Sequence, residues 1–294
     1  MAEKKIPLAF AYSFGGVNDE MIPNIMAEFK WHGVSELVFS HVFLTRILKD
    51  FTFWTFLHRT AVDLGMDLIA PHAPLGQGFD LCCPEKGRRP AMIEDHKRAM
   101  CYCAESGAKT YTIHIGAYES VVFKTPLDVL RPLVVNSLEN LLPTAEKLGL
   151  VIAVENSYER TTTPEEVAYY VEYFNSPFIK CCFDVGHAHL MAPAPDKKRE
   201  KYCASMVRVW GDNVEEYEGA YARLAPYIVT CHLHDNDGYS DAHKLPGEGT
   251  VDWAALIPGI KRCPNLISMQ TEVATPGLAI GRLVESFRKI MRFE

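Results

Sequence analysis

The 294-residue chain has no run of about eighteen consecutive apolar residues, so no segment reads as a membrane span. It has no C-x-x-C pair, although it carries nine cysteines, among them Cys82 beside Cys83, Cys101 near Cys103 and Cys181 beside Cys182. An odd count without that spacing argues against a disulfide framework and against zinc-binding or redox-cycling cysteine pairs. Free core thiols in a reducing, cytoplasmic setting are the expectation. An excess of positive charge is also missing. The net charge of −7 gives no global attraction to phosphate backbones or anionic membranes, which disfavours nucleic acid as a partner. Ser13-Phe14-Gly15-Gly16 follows the first apolar run without the G-x-G-x-x-G spacing, which argues against a doubly wound dinucleotide-binding sheet. The opening MAEKKIPLAFAY holds a short apolar stretch with no small-residue cleavage site after it, and reads as a strand rather than a signal peptide.

What is present is an alternation. Eight short β-rich runs recur at 6–12, 35–39, 66–72, 109–115, 150–155, 179–184, 228–234 and 267–272. Most are near-continuously apolar, as parallel strands covered on both faces are. Helical patterns lie between them. Over 126–148, Leu127, Leu130, Val134, Leu138 and Leu141 form one stripe at three- and four-residue steps, and Gly149 supplies a stop. The helix expected over 161–174 opens on Thr-Pro-Glu-Glu, a cap followed by proline and acids in the first turn. Further helices are expected over 18–32, 48–64, 88–106, 198–224, 252–262 and 276–291. The charge run Asp196-Lys197-Lys198-Arg199 reads as a solvated helix start, and Lys86-Gly87-Arg88-Arg89 as an exposed loop. Eight βα units in this length predict an α/β fold of one (β/α)8 barrel, with residues 1–294 as a single domain because no linker rich in Gly, Ser or Pro interrupts it.

Polar residues collect where these strands end. His72 ends the third, His114 lies near the end of the fourth, Glu155 ends the fifth and Asp184 the sixth, with His187 and His189 just beyond. His232 and His234 end the seventh, with Asp235, Asp241 and His243 on the following loop, and Glu272 ends the eighth. In a parallel barrel all strand C-termini surround one mouth. One such residue alone is ordinarily a satisfied or solvated polar group. Three carboxylates terminating apolar strands are costly to bury unless paired or metal-bound, and no Lys or Arg sits at these ends. A divalent cation is the economical counter-charge. A mostly oxygen donor set suits Mn, Mg or Co, and added imidazoles shift the balance toward Zn. Phe14 and Trp54 suit either a sugar-facing wall or ordinary core packing.

The strings HAP (72–74), HIG (114–116), ENS (155–157), DVGH (184–187), HLHD (232–235), DAHKLPGEG (241–249) and TEV (271–273) occur in this order. Together they resemble the xylose-isomerase-like TIM-barrel superfamily, which holds sugar and sugar-phosphate isomerases and epimerases, endonuclease IV-type nucleases and certain sugar-acid dehydratases. The isomerase–epimerase branch implies one divalent metal held by Glu155, Asp184, His232 and Glu272, with His187 contacting substrate oxygens. It leaves His72, His114 and His243 to line the pocket. His234 stands where many relatives have Lys, and substrate contact, metal ligation and packing are all open to it. The nuclease branch implies a three-zinc cluster on His72, His114, Glu155, Asp184, His187, His232, Asp241, His243 and Glu272, acting on abasic DNA. The segment ENSYERTTTPEE resembles the sugar branch, and no basic, aromatic-interleaved stretch is present to grip a duplex.

The reaction this implies is proton removal next to a carbonyl, through a metal-stabilised enediolate. Glu155 and Glu272, from strands on opposing arcs of the mouth, suit a pair of acid–base groups on the two faces of that planar species. Isomerisation, epimerisation and dehydration need the same parts. The expected partner is a small-molecule sugar or sugar phosphate, and a homo-oligomer is compatible with the sequence.

Overall fold

A computed structural model describes residues 6–194, 198–211 and 213–293, so the start of the charge run at Asp196 and Lys197 lies outside the described residues. Eight parallel strands form in chain order: β1 (Leu8–Ala9), β2 (Glu36–Val38), β3 (Asp67–Ile69), β4 (Thr110–Ile113), β5 (Val151–Glu155), β6 (Ile179–Asp184), β7 (Ile228–Leu233) and β8 (Met269–Thr271). Each falls inside one of the eight expected runs. Six pair in the order β1-β8-β7-β6-β5-β4, and β2 pairs with β3. Single parallel bridges, Phe10 to Leu37 and His72 to Thr112, join the two sheets, so the strands close into a (β/α)8 barrel.

The helices wrap the outside: α1 (Ile22–Trp31), α2 (His41–Lys49), α3 (Thr52–Leu64), α4 (Arg89–Glu105), α5 (Tyr118–Val121), α6 (Leu127–Leu148), α7 (Pro164–Phe174), α8 (Val185–Met191), α9 (Ala204–Trp210), α10 (Ala220–Leu224), α11 (Trp253–Lys261) and α12 (Ile280–Ile290). In α6 the expected stripe is the buried face: Leu130, Val134, Leu138 and Leu141 are fully covered. The helix stops at Gly149 in the left-handed region, φ 65°. Thr163 caps α7 by accepting the Glu166 N–H, ahead of Pro164.

Two expected helices are broken. The helix expected over 48–64 is α3, which starts at Thr52; the expected first residues belong to the end of α2, a helix not expected from the sequence, and the two are parted where Asp50 is extended and its carboxylate accepts from the Thr52 N–H and hydroxyl. The stretch expected as 198–224 contains α9, which ends at Gly211, and α10, which begins after Gly219, both glycines at positive φ. The short helix α8 begins directly after the last residue of β6, Asp184, which caps it, and leaves no connecting loop to signal it. Arg89, read as part of an exposed loop, is buried and donates to the carbonyls of Leu81, Cys83 and Leu133 and to Asn136 and Ser137. Trp54 stacks on Phe39 and donates to Glu105, and Phe14 packs on Phe43, so both rings belong to the core.

The pleat of the strands sorts the residues that matter. On β5 to β8, Ile152, Val154, Cys181, Phe183, Cys231, Leu233 and Met269 face the helices and join the main core. The alternate positions face the lumen, where Ala153 and Cys182 form a separate small-residue cluster with Val229, the residue skipped by the register shift between β6 and β7. Two residues further along the same faces stand Glu155 above Ala153 and Asp184 above Cys182. By the same period His232 follows Thr230 and Glu272 follows Gln270. On β5 and β6 the small residues low in the lumen and the ligand-type residues at its C-terminal end therefore follow from one period of two, and on β7 the register shift puts Val229 out of step with His232.

Candidate active site

Glu155, Asp184 and His232 are buried at the ends of β5, β6 and β7, and Glu272, just past β8, has a side chain 28% exposed. His232 Nδ1 lies 2.8 Å from Glu272 Oε2, 3.2 Å from Glu155 Oε1 and 3.6 Å from Asp184 Oδ2. One ligand atom from each of the four lies within 4.8 Å of the others. Despite these separations, Glu155 Oε1, His232 Nδ1 and Glu272 Oε2 are buried with no hydrogen-bond partner. They approach one another without the alignment a hydrogen bond requires. Donor atoms that converge on a common point without pairing are the arrangement that surrounds a cation, and the mixed carboxylate–imidazole set fits a divalent one.

The other expected site residues meet around this group. His114 Nε2 is 3.0 Å from Glu155 Oε2, and His72 Nε2 is 3.6 Å from the same oxygen. His72, Glu155 and His232 form a second group with ligand geometry, and His187, His234, Asp241 and His243 a third. In the third, His187 Nε2 is 3.3 Å from Asp241 Oδ2 and His243 Nε2 is 3.2 Å from Asp241 Oδ1. His234 and His243 stack with ring centroids 3.9 Å apart. His234 is fully buried, and its Nε2 reaches the Asp184 carboxylate at 3.1 Å. That approach requires Gly186: a Cβ there would lie 2.0 Å from the His234 ring.

The local fold fixes these side chains. Asp184 is both a strand end and the cap of α8, accepting the His187 N–H at 2.6 Å. His187 Nδ1 is 3.0 Å from the carbonyl oxygen of Asn156. The Asn156 amide clamps the backbone of Asp184 from both sides, accepting its N–H and donating to its C=O. Asp235, the last residue of the HLHD string, is buried and accepts from the N–H groups of Asn236, Gly247 and Val251 and from the Trp253 indole. It organises the loop that carries Asp241 and His243 and stands outside the groups with ligand geometry.

Charge and burial oppose each other here. Burial by itself raises the Glu155 carboxyl, but the imidazoles of His232 and His114 outweigh it and hold the acid well below its usual range. Burial likewise disfavours charge on His114, yet the Glu155 carboxylate prevails and holds it up at about 9. His243 is held near 9 against burial by Asp241 and Glu272. His72 goes the other way. Burial and its neighbour His114 push it down to about 4, so it stands as a neutral imidazole with a free lone pair.

Three residues at this mouth were not singled out in the sequence. His41, which opens α2, meets His72 edge-on at 5.7 Å, and burial lowers its pKa. Tyr158 meets His187 edge-on at 5.6 Å. Asp80 is buried against Gly116, where a Cβ would lie 2.3 Å from its carboxyl carbon. Only His41 had a signal, a polar residue soon after a short apolar run.

The profile of the xylose isomerase-like TIM-barrel family matches residues 54–289. Among curated proteins, an uncharacterized protein of Methanocaldococcus jannaschii is 25% identical over 130 residues, 43% of this chain and 38% of that protein. An uncharacterized protein of Sinorhizobium fredii is 29% identical over 87 residues, 30% of this chain and 21% of that protein. The matches thus span well under half the length of these relatives. Among solved structures, the 3-keto-D-glucoside 4-epimerase of E. coli aligns over 97% of this chain and 99% of its own, at 15% identity and a TM-score of 0.70. A D-tagatose 3-epimerase-like protein aligns over 96% and 98%, at 17% and 0.69. The IolI protein with a bound zinc atom aligns over 97% and 96%, at 18% and 0.68. At these identities the structural likeness speaks for the fold, and the profile, covering most of the chain, settles the affiliation: the chain belongs to the xylose isomerase-like TIM-barrel family.

Proposed function

We propose that the barrel mouth is the active site of a sugar or sugar-phosphate isomerase or epimerase that depends on a divalent metal and works by proton transfer next to a carbonyl. The observation that carries this is the convergence of Glu155, Asp184, His232 and Glu272 with three of their buried donor atoms unpaired. These four would hold the ion. When bound, it supplies Lewis-acid stabilisation of negative charge developing on the substrate's oxygens. Glu272, the most exposed of the four, faces the space a substrate enters and is the proton acceptor on one face of the carbon. Glu155, supported by His114, serves the opposite face. His72, His114, His187 and His243 contact hydroxyls, and His234, buried against Asp184, holds that carboxylate in place. The free thiols of all nine cysteines favour a reducing compartment, the cytoplasm, as its setting. The membrane plays no part in this reading: among the described residues no helix is long and apolar enough to cross one.

The test is exchange. Metal-loaded protein incubated in D2O with D-fructose, D-tagatose and D-psicose should introduce deuterium next to the carbonyl, and a chelator should abolish it. Absence of exchange across ketoses and their phosphates would reject the reading. A dehydratase would exchange and also lose water, which the same spectra show.

One observation favours a second reading. All nine residues of the three-zinc nuclease pattern lie at the mouth: eight fall in three groups with ligand geometry, two of which share Glu155 and His232, and His114 meets Glu155. On that reading the purified protein carries near three zinc ions per chain and cleaves an abasic-site duplex, most strongly at low salt. Near one ion per chain and no cleavage leaves the sugar reading standing.

A further inference from the structure

A cavity of about 370 Å³ opens beside the metal-type groups, between the segments after β3, β4 and β5 and helix α9. That volume is in the range of sites that enclose molecules of several rings. Its inner end is polar and continuous with the mouth: His114 and Tyr158 line it, and these same side chains touch Glu155 and His187. Asp80 also lines it. Elsewhere Leu75, Tyr118, Val121, Val122 and Val209 give the wall an apolar stretch, with Gln77, Glu159, Ser205 and Arg208 beside it. Of these Leu75 and Val122 are 43% and 51% exposed, and Phe123, next in the chain, packs edge-on against Tyr118.

A free sugar makes poor use of such a wall. Its hydroxyls point in every direction, and those turned toward valine and leucine would lose water without gaining a partner. An apolar group placed there loses nothing and covers exposed hydrocarbon. We propose that the substrate is a conjugate: a sugar whose polar ring sits on the mouth and whose apolar or aromatic substituent, such as a glycoside's aglycone, fills the cavity between α5 and α9. This rests on the reading of the mouth as a sugar site and adds the class of sugar.

Calorimetry on the full-length, manganese-loaded protein tests it, with D-fructose, 1-O-benzyl-D-fructose, 6-O-benzyl-D-fructose and benzyl alcohol as probes. At least one benzyl ketose should bind on the order of 10- to 100-fold more tightly than D-fructose, the gain expected for burying one ring. Benzyl alcohol alone should bind weakly. V122E, at an exposed position, and V209A should each cut the ratio of benzyl ketose to fructose affinity, with melting temperature and metal content confirming that the variants are folded. The ratio is the readout. A ratio near one for both benzyl ketoses, or one that neither variant lowers, would overturn the proposal. The same samples in D2O separate it from the reading it rests on. Exchange without a benzyl preference rejects the conjugate and keeps the sugar enzyme. A cavity-dependent benzyl preference without exchange keeps the conjugate site and rejects the chemistry.

Discussion

Two regions of this barrel bury polar side chains in opposite ways. In the layer between β4 and its covering helices, His96, Arg89 and Ser137 are closed by the protein. His96 on α4 is fully buried with Nδ1 at 2.9 Å from the Tyr111 hydroxyl and Nε2 at 2.9 Å from the Phe79 carbonyl oxygen. Arg89 is shared among five acceptors, and Ser137 donates onward to the Leu81 carbonyl. At the mouth the reverse holds. Of the ten buried side-chain atoms left without a hydrogen bond among the described residues, six belong to Glu155, His232, His234, Asp241 and Glu272. An unpaired buried polar atom costs on the order of 1–3 kcal/mol, so a cluster of them marks a place completed from outside the chain. Burial alone thus does not mark a functional histidine; what its nitrogens meet does.

The contrast is broken most severely at Glu155, which belongs to both of the innermost groups. Glu155→Ala should empty the mouth of metal and abolish turnover, as read by elemental analysis and the exchange assay. Metal retained at the wild-type level would remove Glu155 from the site. Next is Glu272→Gln, which keeps a ligating oxygen but accepts no proton. It should hold its metal and lose roughly 10²–10⁴ in kcat. A metal-loaded Gln variant turning over at the wild-type rate would reduce Glu272 to a ligand.

The scaffold histidine sharpens the comparison from the other side. Burial, against the opposing pull of its hydrogen bond to Phe79, takes His96 down to about 4. Its folded value lies below the unfolded one of about 6.5, so the unfolded chain takes up the proton first as pH falls. Its contribution is therefore complete above about pH 6.5 and drains away toward pH 4, a loss of about 3 kcal/mol. Urea titrations across that window should show a steeper decline in wild type than in His96→Gln, whose amide cannot titrate. Parallel slopes would contradict the assignment. Turnover at neutral pH should be unchanged in that variant.

Among the residues of the mouth, the smallest expected effect is at His114. It supports Glu155 from 3.0 Å, as a partner of a metal ligand does, and its loss should cost about 10- to 100-fold in activity. His114→Ala should leave the number of ions per chain unchanged. Loss of more than one zinc on this replacement would favour the nuclease arrangement.

Much of this contrast was readable in the sequence, and the reason is geometric. All eight strands were visible because parallel strands covered on both faces give apolar runs that end sharply, and the residues at those ends, Glu155, Asp184, His232 and Glu272, are the ones the barrel closure brings together. The segments outside the strands were less legible. α8 follows β6 without a turn, so nothing between Asp184 and Val185 marks the start of a new element. α9 and α10 merged into one expected helix, although Gly211 and Gly219 were the breaks. Asn156 sat inside a recognised string, but its role lies in clamping the Asp184 backbone, a contact no spacing encodes. The apolar cavity was invisible because its wall is assembled from Leu75, Val121, Val122 and Val209, which share no period and meet only after folding.

The most direct measurement is anomalous diffraction from crystals grown with manganese, recorded near its absorption edge. A peak is expected at the mouth with one atom each of Glu155, Asp184, His232 and Glu272 at roughly 2.0–2.6 Å. No peak there, or density only at His187, Asp241 and His243 with the four-residue group empty, would contradict the assignment of these four as ligands.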